Sequence, residues 1–256
     1  MTPLRSATTA AVVGATAYAL LRRQPPGGEK RWQRSNFRGA SPSLVAGPAV
    51  TIAAAAGSSS SPTAAVLTLA CGGLGLYDDL AGDSHARGLR GHLAALREGR
   101  LTTGMVKLIG LVGAGALTSL LERRRPREVV VDTLLVAGTA NLVNLFDLRP
   151  GRALKVVVLA GLPLSARSDA AAASVGAALA LLPADLAEDA MIGDCGANAL
   201  GGLLGWSLAH GLGARSRVVA LASVVGLTLA SERVSFTDVI AGNRWLAAVD
   251  AFGRRQ

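Results

Sequence analysis

"AAVLTLACGGLGLYDDLAGD", residues 64–83, decides the fold. Its first part, 64–77, carries no charge and no 3.6-residue alternation of apolar and polar positions. A helix that is apolar all round is either a deep core helix or a membrane span. Asp78, Asp79 and Asp83 then arrive together at the end of the run. Carboxylates so close repel one another and require a compensating positive group.

The rest of the chain repeats the pattern. Half of the 256 residues are hydrophobic, only 17% are charged, and the mean hydropathy is +0.41. Soluble chains carry about 25% charged residues. The apolar residues come in blocks, at about 3–21, 43–57, 62–77, 104–121, 129–146, 153–165, 169–186, 196–211 and 216–231. One domain in water cannot bury so many apolar helices. The expected fold is therefore all-α, a polytopic membrane bundle of about nine spans. Several blocks fall short of the ~20 residues that normally cross a bilayer. Their Ala and Gly content suits close helix approach within a membrane. The first block has only Arg5 before it and Arg22 and Arg23 after it, the wrong charge order for a cleaved signal.

The densest basic loop, "RRQPPGGEKRWQRSNFR" (22–38), is expected to face the cytoplasm. This places the N-terminus outside and the C-terminus inside. The loops at 78–103, 147–152 and 187–195 then share the cytoplasmic face. "ERRRPRE" (122–128) conflicts with this arrangement, because it falls outside. Residues 1–231 form the bundle and its loops; residues 232–256 form a cytoplasmic tail. The net charge of +9 sits in short loops without an aromatic-interleaved face. That pattern fits anionic headgroups and phosphorylated substrates better than nucleic acid. Cys71 and Cys195 are not expected to pair, and neither has zinc-ligand spacing. The histidines, His85, His92 and His210, are scattered and form no soft-metal set.

Ionisable groups at span ends are costly and so mark candidate sites. Four clusters stand out. "SNFRG" (35–39) reads on its own as a basic loop. "YDDLAGD" (77–83) brings Asp78 and Asp79 to a helix C-terminus, where the dipole disfavours acids. Lys107 enters the next span about one turn deep, either to snorkel or to face inward and hold a phosphate. In "GTANLVNLFDLRPGR" (138–152), Asn141, Asn144 and Asp147 recur every three residues near one helix face. In "AEDAMIGDCGANALGG" (187–202), Asp194 lies between Gly193 and Gly196 and could also serve as a helix cap. The oxygen donors Asp78, Asp79, Asp147 and Asp194 suit Mg²⁺, which binds through one or two carboxylates plus substrate phosphates.

The order of these motifs resembles the polyprenyl-phosphate N-acetylhexosamine-1-phosphate transferases, of which this would be a short, divergent member. The family includes phospho-N-acetylmuramoyl-pentapeptide transferase and the enzymes that start teichoic acid and O-antigen synthesis. The resemblance spans about 31–205. It implies transfer of a sugar-1-phosphate from a UDP-amino sugar to polyprenyl phosphate, with UMP released and Mg²⁺ required. By resemblance, Asp78 and Asp79 match the aspartate pair near the lipid phosphate. Asp147 and Asp194 match metal-binding aspartates, with Asp147 also in the catalytic set. Asn144, with Asn141 beside it, matches the nucleotide site, and Lys107 matches a phosphate-contacting lysine. The implied location is the plasma membrane with the site facing the cytoplasm. A homodimer is compatible with the sequence, which does not fix the oligomeric state.

Two departures are visible. The family reads N-x-x-D-G-x-D-G-L-A in the third cluster, where this chain has "NLFDLRPGRA" and lacks the second acid. The family's histidine motif in the last loop is absent from "ASERVSFTDVIAGNRWLAAVDAFGRRQ". Instead, Ser235 and Asp238 form a capping-box-like start. Val239, Ile240, Trp245, Leu246, Val249 and Phe252 follow roughly on one face, as in an interfacial helix or one packed on the bundle. Two other classes are open: a non-catalytic scaffold that binds polyprenyl phosphate or assembles a complex, and a transporter. The inverted repeat of a transporter is not seen.

Overall fold

The computed structural model describes residues 1–34, 39–82 and 88–254, with the side chains of 88–90, 92 and 93 outside the description. The "SNFR" of the first cluster, Asp83, His85 and the His92 side chain therefore lie outside the described residues.

Helices follow the apolar blocks. They are α1 (Pro3–Arg23), α2 (Ala46–Gly57), α3 (Pro62–Ala81), α4 (Gly88–Arg97), α5 (Thr103–Leu121) and α6 (Pro126–Phe146). Then come α7 (Arg152–Ser165), α8 (Asp169–Leu186), α9 (Gly193–Gly211), α10 (Ala214–Ser231), α11 (Phe236–Gly242) and α12 (Arg244–Ala251). No strand forms among the described residues. The starts are written in the sequence. Thr2, Ser61, Thr102 and Ser168 each accept an N–H of the first turn, and Pro follows the cap in α1 and α3. Such caps satisfy N–H groups that a helix cannot pair internally.

All nine expected segments are helical. Five of them, α3, α5, α6, α8 and α10, are long and apolar enough to cross a membrane. Helix α2 is apolar but has only 12 residues, about 18 Å at 1.5 Å per residue. Two boundaries differ from the sequence reading in ways that matter. Helix α3 runs on to Ala81, so Asp78 and Asp79 sit within its last turn rather than beyond it. The loop after it contains α4, an additional helix.

Helix α9 lies at the centre, buried along most of its length. It packs against α6, α3 and α2, while α1 packs on α8 and α2. Small residues permit this closeness. At Gly75, an added Cβ would lie 2.1 Å from the carbonyl oxygen of Asp194. The C-terminal part of α3 and the first turn of α9 are thus in backbone contact.

The end of the bundle away from the acidic clusters holds its own ion pairs. Asp132 is 0% exposed and accepts from Arg124 Nε at 2.9 Å and Arg217 Nη1 at 3.3 Å. Arg217 also pairs with Glu128 at 3.3 Å. Arg124 of "ERRRPRE" is therefore engaged in an ion pair with a buried carboxylate of the bundle. His210 stacks on Trp206 with ring centroids 3.9 Å apart and pairs with Glu122. Thr63 Oγ1 donates to the same carboxylate at 2.5 Å.

The tail departs from a single continuous helix. It breaks at Asn243, whose side chain caps α12 by accepting from the N–H groups of Trp245 and Leu246. Val239, Ile240, Leu246 and Val249 line an apolar crevice of about 400 Å³ with Phe146, Leu159 and Leu227. Trp245 and Phe252 face outward, 69% and 79% exposed.

The contact at Gly75 can be tested against a neighbour. A Cβ at Gly73 meets nothing within 4 Å. Gly75→Val is expected to lower the thermal midpoint of the detergent-solubilised protein, at a cost of about 1–3 kcal/mol for overpacking. Gly73→Val should leave the midpoint unchanged.

Candidate functional site

The N-terminus of α9 organises the acidic end of the bundle. A helix start leaves four backbone N–H groups without intrahelical partners and carries roughly half a positive charge. Here the donors are taken one after another by carboxylates from three other elements. The Ile192 N–H goes to Asp185 of α8. The Gly193 N–H goes to Asp147, which caps the C-terminus of α6. The Asp194 N–H donates to Asp79 Oδ1 at 3.1 Å, and the Cys195 N–H to Asp79 Oδ2 at 2.9 Å. Gly193 is required twice. Its φ is +58°, and a Cβ would sit 2.8 Å from Asp79 Oδ2. Asp194 itself is not the cap: it lies inside the first turn, behind the Ile192 backbone.

Asp78 points to the second positive group. Lys107 Nζ lies 2.6 Å from Asp78 Oδ2 and also pairs with Asp194. Its side chain is 13% exposed, so it faces inward rather than snorkelling. Asp78 is also bonded to the Thr103 hydroxyl at the start of α5. Arg34 reaches the same corner, donating to the Asp79 carbonyl at 2.5 Å. Asp78, Asp79, Lys107, Asp147 and Asp194, far apart in sequence, are thus gathered at one end of the bundle. Asn141 and Asn144 are half-buried on α6, and neither carboxamide is bonded within the described residues.

Asp147 also lines a cavity of about 280 Å³, with Asp185, Glu188, Met191, Arg149 and Pro42 among its walls. Burial comes first in holding the Asp147 carboxyl well above the usual carboxylate range, and the charges of Asp185, Asp194 and Asp79 add to it. The Gly193 amide pulls the other way. Among the described residues, no three of His, Cys, Asp and Glu gather tightly enough to hold a metal alone. The donor set is nevertheless all oxygen. A hard cation that keeps its waters and binds substrate phosphates needs only one or two carboxylates.

Two residues of this end were not marked as site residues by the sequence. Asp185 ends α8 at 3% exposure. Asn198 is 0% exposed, and neither atom of its amide has a partner among the described residues. It lies one helical turn below Asp194, and its only sequence cue is a polar residue within the buried face of α9. A buried unsatisfied polar group costs about 1–3 kcal/mol.

The "DLRPGR" loop is built differently from an acidic loop. Gly151, at φ +72°, donates to Asp185 Oδ2 at 2.6 Å. Arg152 pairs in a fork with Asp250 of the tail, at 2.8 Å and 2.9 Å. Arg254 closes the clamp by donating to the same Asp250 at 2.6 Å and to the Pro150 carbonyl at 2.8 Å. Lys155 caps α12 by donating to the carbonyls of Val249, Asp250 and Phe252. Arg152 and Lys155 on the bundle side, and Arg254 from the tail, therefore fasten the tail to this loop.

No protein-family model matches the chain, and no curated protein matches it.

The clamp has a pH signature. Burial opposes ionisation of Asp250, but the Arg152 and Arg254 guanidiniums prevail and hold the carboxyl below its usual range. A depressed carboxylate contributes stability above the unfolded value near ~3.9 and loses it as pH falls through the lower folded value. The tail should therefore become susceptible to pepsin only as the pH drops below that range. Asp250→Asn should expose the bond after Arg244 to trypsin at neutral pH.

Proposed function

We propose that the protein is a membrane phosphoglycosyl transferase that moves an N-acetylhexosamine-1-phosphate from a UDP-sugar to polyprenyl phosphate, releasing UMP. The observation that carries this reading is the gathering of Asp78, Asp79, Lys107, Asp147 and Asp194 at one end of a helical bundle beside an open cavity. The order of the motifs in the sequence supports it. The site would face the cytoplasm, where the sugar nucleotide is found, and the product would enter cell-envelope polymer synthesis.

The reaction forms one P–O bond and breaks another. An oxygen of the lipid phosphate attacks the sugar-linked phosphorus, and UMP departs with the electron pair of the diphosphate bridge. Catalysis of such a transfer is mostly positioning and charge neutralisation. Lys107, already held between Asp78 and Asp194, supplies a fixed ammonium for a phosphate oxygen. Asp78 is placed to receive a proton from a lipid phosphate monoanion, a modest aid because the second phosphate pKa is near ~6. Asp79, with both oxygens bonded to α9, positions that helix. Asp147 and Asp194 would hold Mg²⁺, which supplies charge neutralisation at the diphosphate when bound. Asn141 and Asn144, unbonded within the described residues, would offer their carboxamides to the nucleotide.

A second reading is favoured by one observation. Asp79, Asp147 and Asp185 are all engaged by amides of α9, and the loop after Asp147 serves the tail. A non-catalytic membrane scaffold that binds polyprenyl phosphate would keep this construction. Purified protein in Mg²⁺ with UDP-amino sugars and polyprenyl phosphate separates the two. The transferase reading expects UMP release that Asp147→Asn and Asp194→Asn abolish. Lys107→Met should lower kcat by about 10²–10³-fold, as for loss of one transition-state donor. His210→Gln, at the opposite end, should retain activity. Absence of UMP release with every UDP-amino sugar tried would leave the scaffold reading.

A further inference from the structure

We propose that Asp185 is a positioning residue of the acidic site, setting the separation of the two backbone segments that carry Asp147 and Asp194. This rests on the transferase reading above. Asp185 belongs to the last turn of α8, a helix otherwise buried against α1, α2 and α7. Its carboxylate, 3% exposed, accepts from the Gly151 N–H at 2.6 Å and from the Ile192 N–H. Gly151 lies four residues after Asp147, and Ile192 lies two residues before Asp194. One side chain on a packed helix therefore ties the loop of one expected metal ligand to the turn of the other.

The surrounding packing leaves the tie little freedom. Gly151 has φ +72°, and a Cβ there would stand 2.4 Å from Leu186 Cδ2. The loop is thus pressed against the end of α8. On the other side, the next amide after Ile192, that of Gly193, goes to Asp147 itself. Asp185 and Asp147 hold successive amides of one turn, so a shift of either would move both. Asp185 also faces the cavity that Asp147 lines. The "DLRPGR" loop, without an acid of its own after Asp147, receives its anchoring carboxylate from α8 instead.

The test compares Asp185→Asn, which keeps one acceptor oxygen and the shape, with Asp185→Ala, which keeps neither. Three quantities are measured on the full-length detergent-solubilised protein. They are the thermal midpoint, Mn²⁺ binding by electron paramagnetic resonance, and UMP release with kcat and KM separated. Groups that orient metal ligands typically govern affinity or activity by 10- to 100-fold. The expected result for Asp185→Ala is a loss of about 10- to 100-fold in Mn²⁺ affinity and in kcat. KM for the UDP-sugar should change little, and Asp185→Asn should recover part of the loss at an unchanged thermal midpoint. An active parent with both variants equal to it in Mn²⁺ affinity and kcat overturns the proposal alone. Collapse of folding in both variants also overturns it, because Asp185 would then serve the fold only. A parent that neither binds Mn²⁺ nor releases UMP overturns the transferase reading and this proposal with it.

Discussion

The first turn of α9 is the constraint on which the acidic end depends. Its amides cannot be paired within the helix, and the turn lies in the interior, where water cannot serve them. Carboxylates from α3, α6 and α8 take them instead. Each is placed by a different helix, so the turn fixes three helix ends at once. Lys107 adds a fourth element through Asp78 and Asp194. The acids at the C-terminus of α3, unfavourable against their own helix dipole, are thus compensated by the opposite dipole end of α9 and by an ammonium.

Several positive groups share this end with the acids. Asp78, Asp79, Asp147, Asp185 and Asp194 converge here, with Lys107, the start of α9, Arg34, Arg149 and Arg254 about them. Beside the cavity, burial and the neighbouring acids hold the Asp147 carboxyl well above the usual carboxylate range.

Much of the fold was legible because long apolar runs announce helices. The nine apolar blocks became nine helices, five of them long and apolar enough to cross a membrane, and caps such as Ser61 and Ser168 marked their starts. The site was legible in part. Asp78, Asp79, Lys107, Asp147 and Asp194 stood out as ionisable residues beside apolar runs, where solvation cost makes each one informative. Asp185 did not, because "LLPADLAED" reads as the ordinary polar edge of a span. Its significance lies in bonds to backbone amides of two distant segments, and a backbone amide has no letter in the sequence. Asn198 was hidden for a related reason, since burial of a single polar residue depends on which helices surround it. The tail's apolar face was readable, but its break was not drawn at "GN" (242–243), although Gly and Asn are ordinary signals for a helix stop and restart.

The loop after Asp147 joins these threads. Arg152 anchors the tail to it. It draws Asp250, and through it Arg254, onto the loop, while the Gly151 amide turns inward to Asp185. The loop thus has a basic side facing the tail and an amide side facing the acids. Its geometry depends on a carboxylate that a rigid helix, α8, supplies across a gap of more than thirty residues between Gly151 and Asp185. The loop that follows Asp147 is thus held from two sides, by Asp185 at its amide and by Asp250 at its guanidinium.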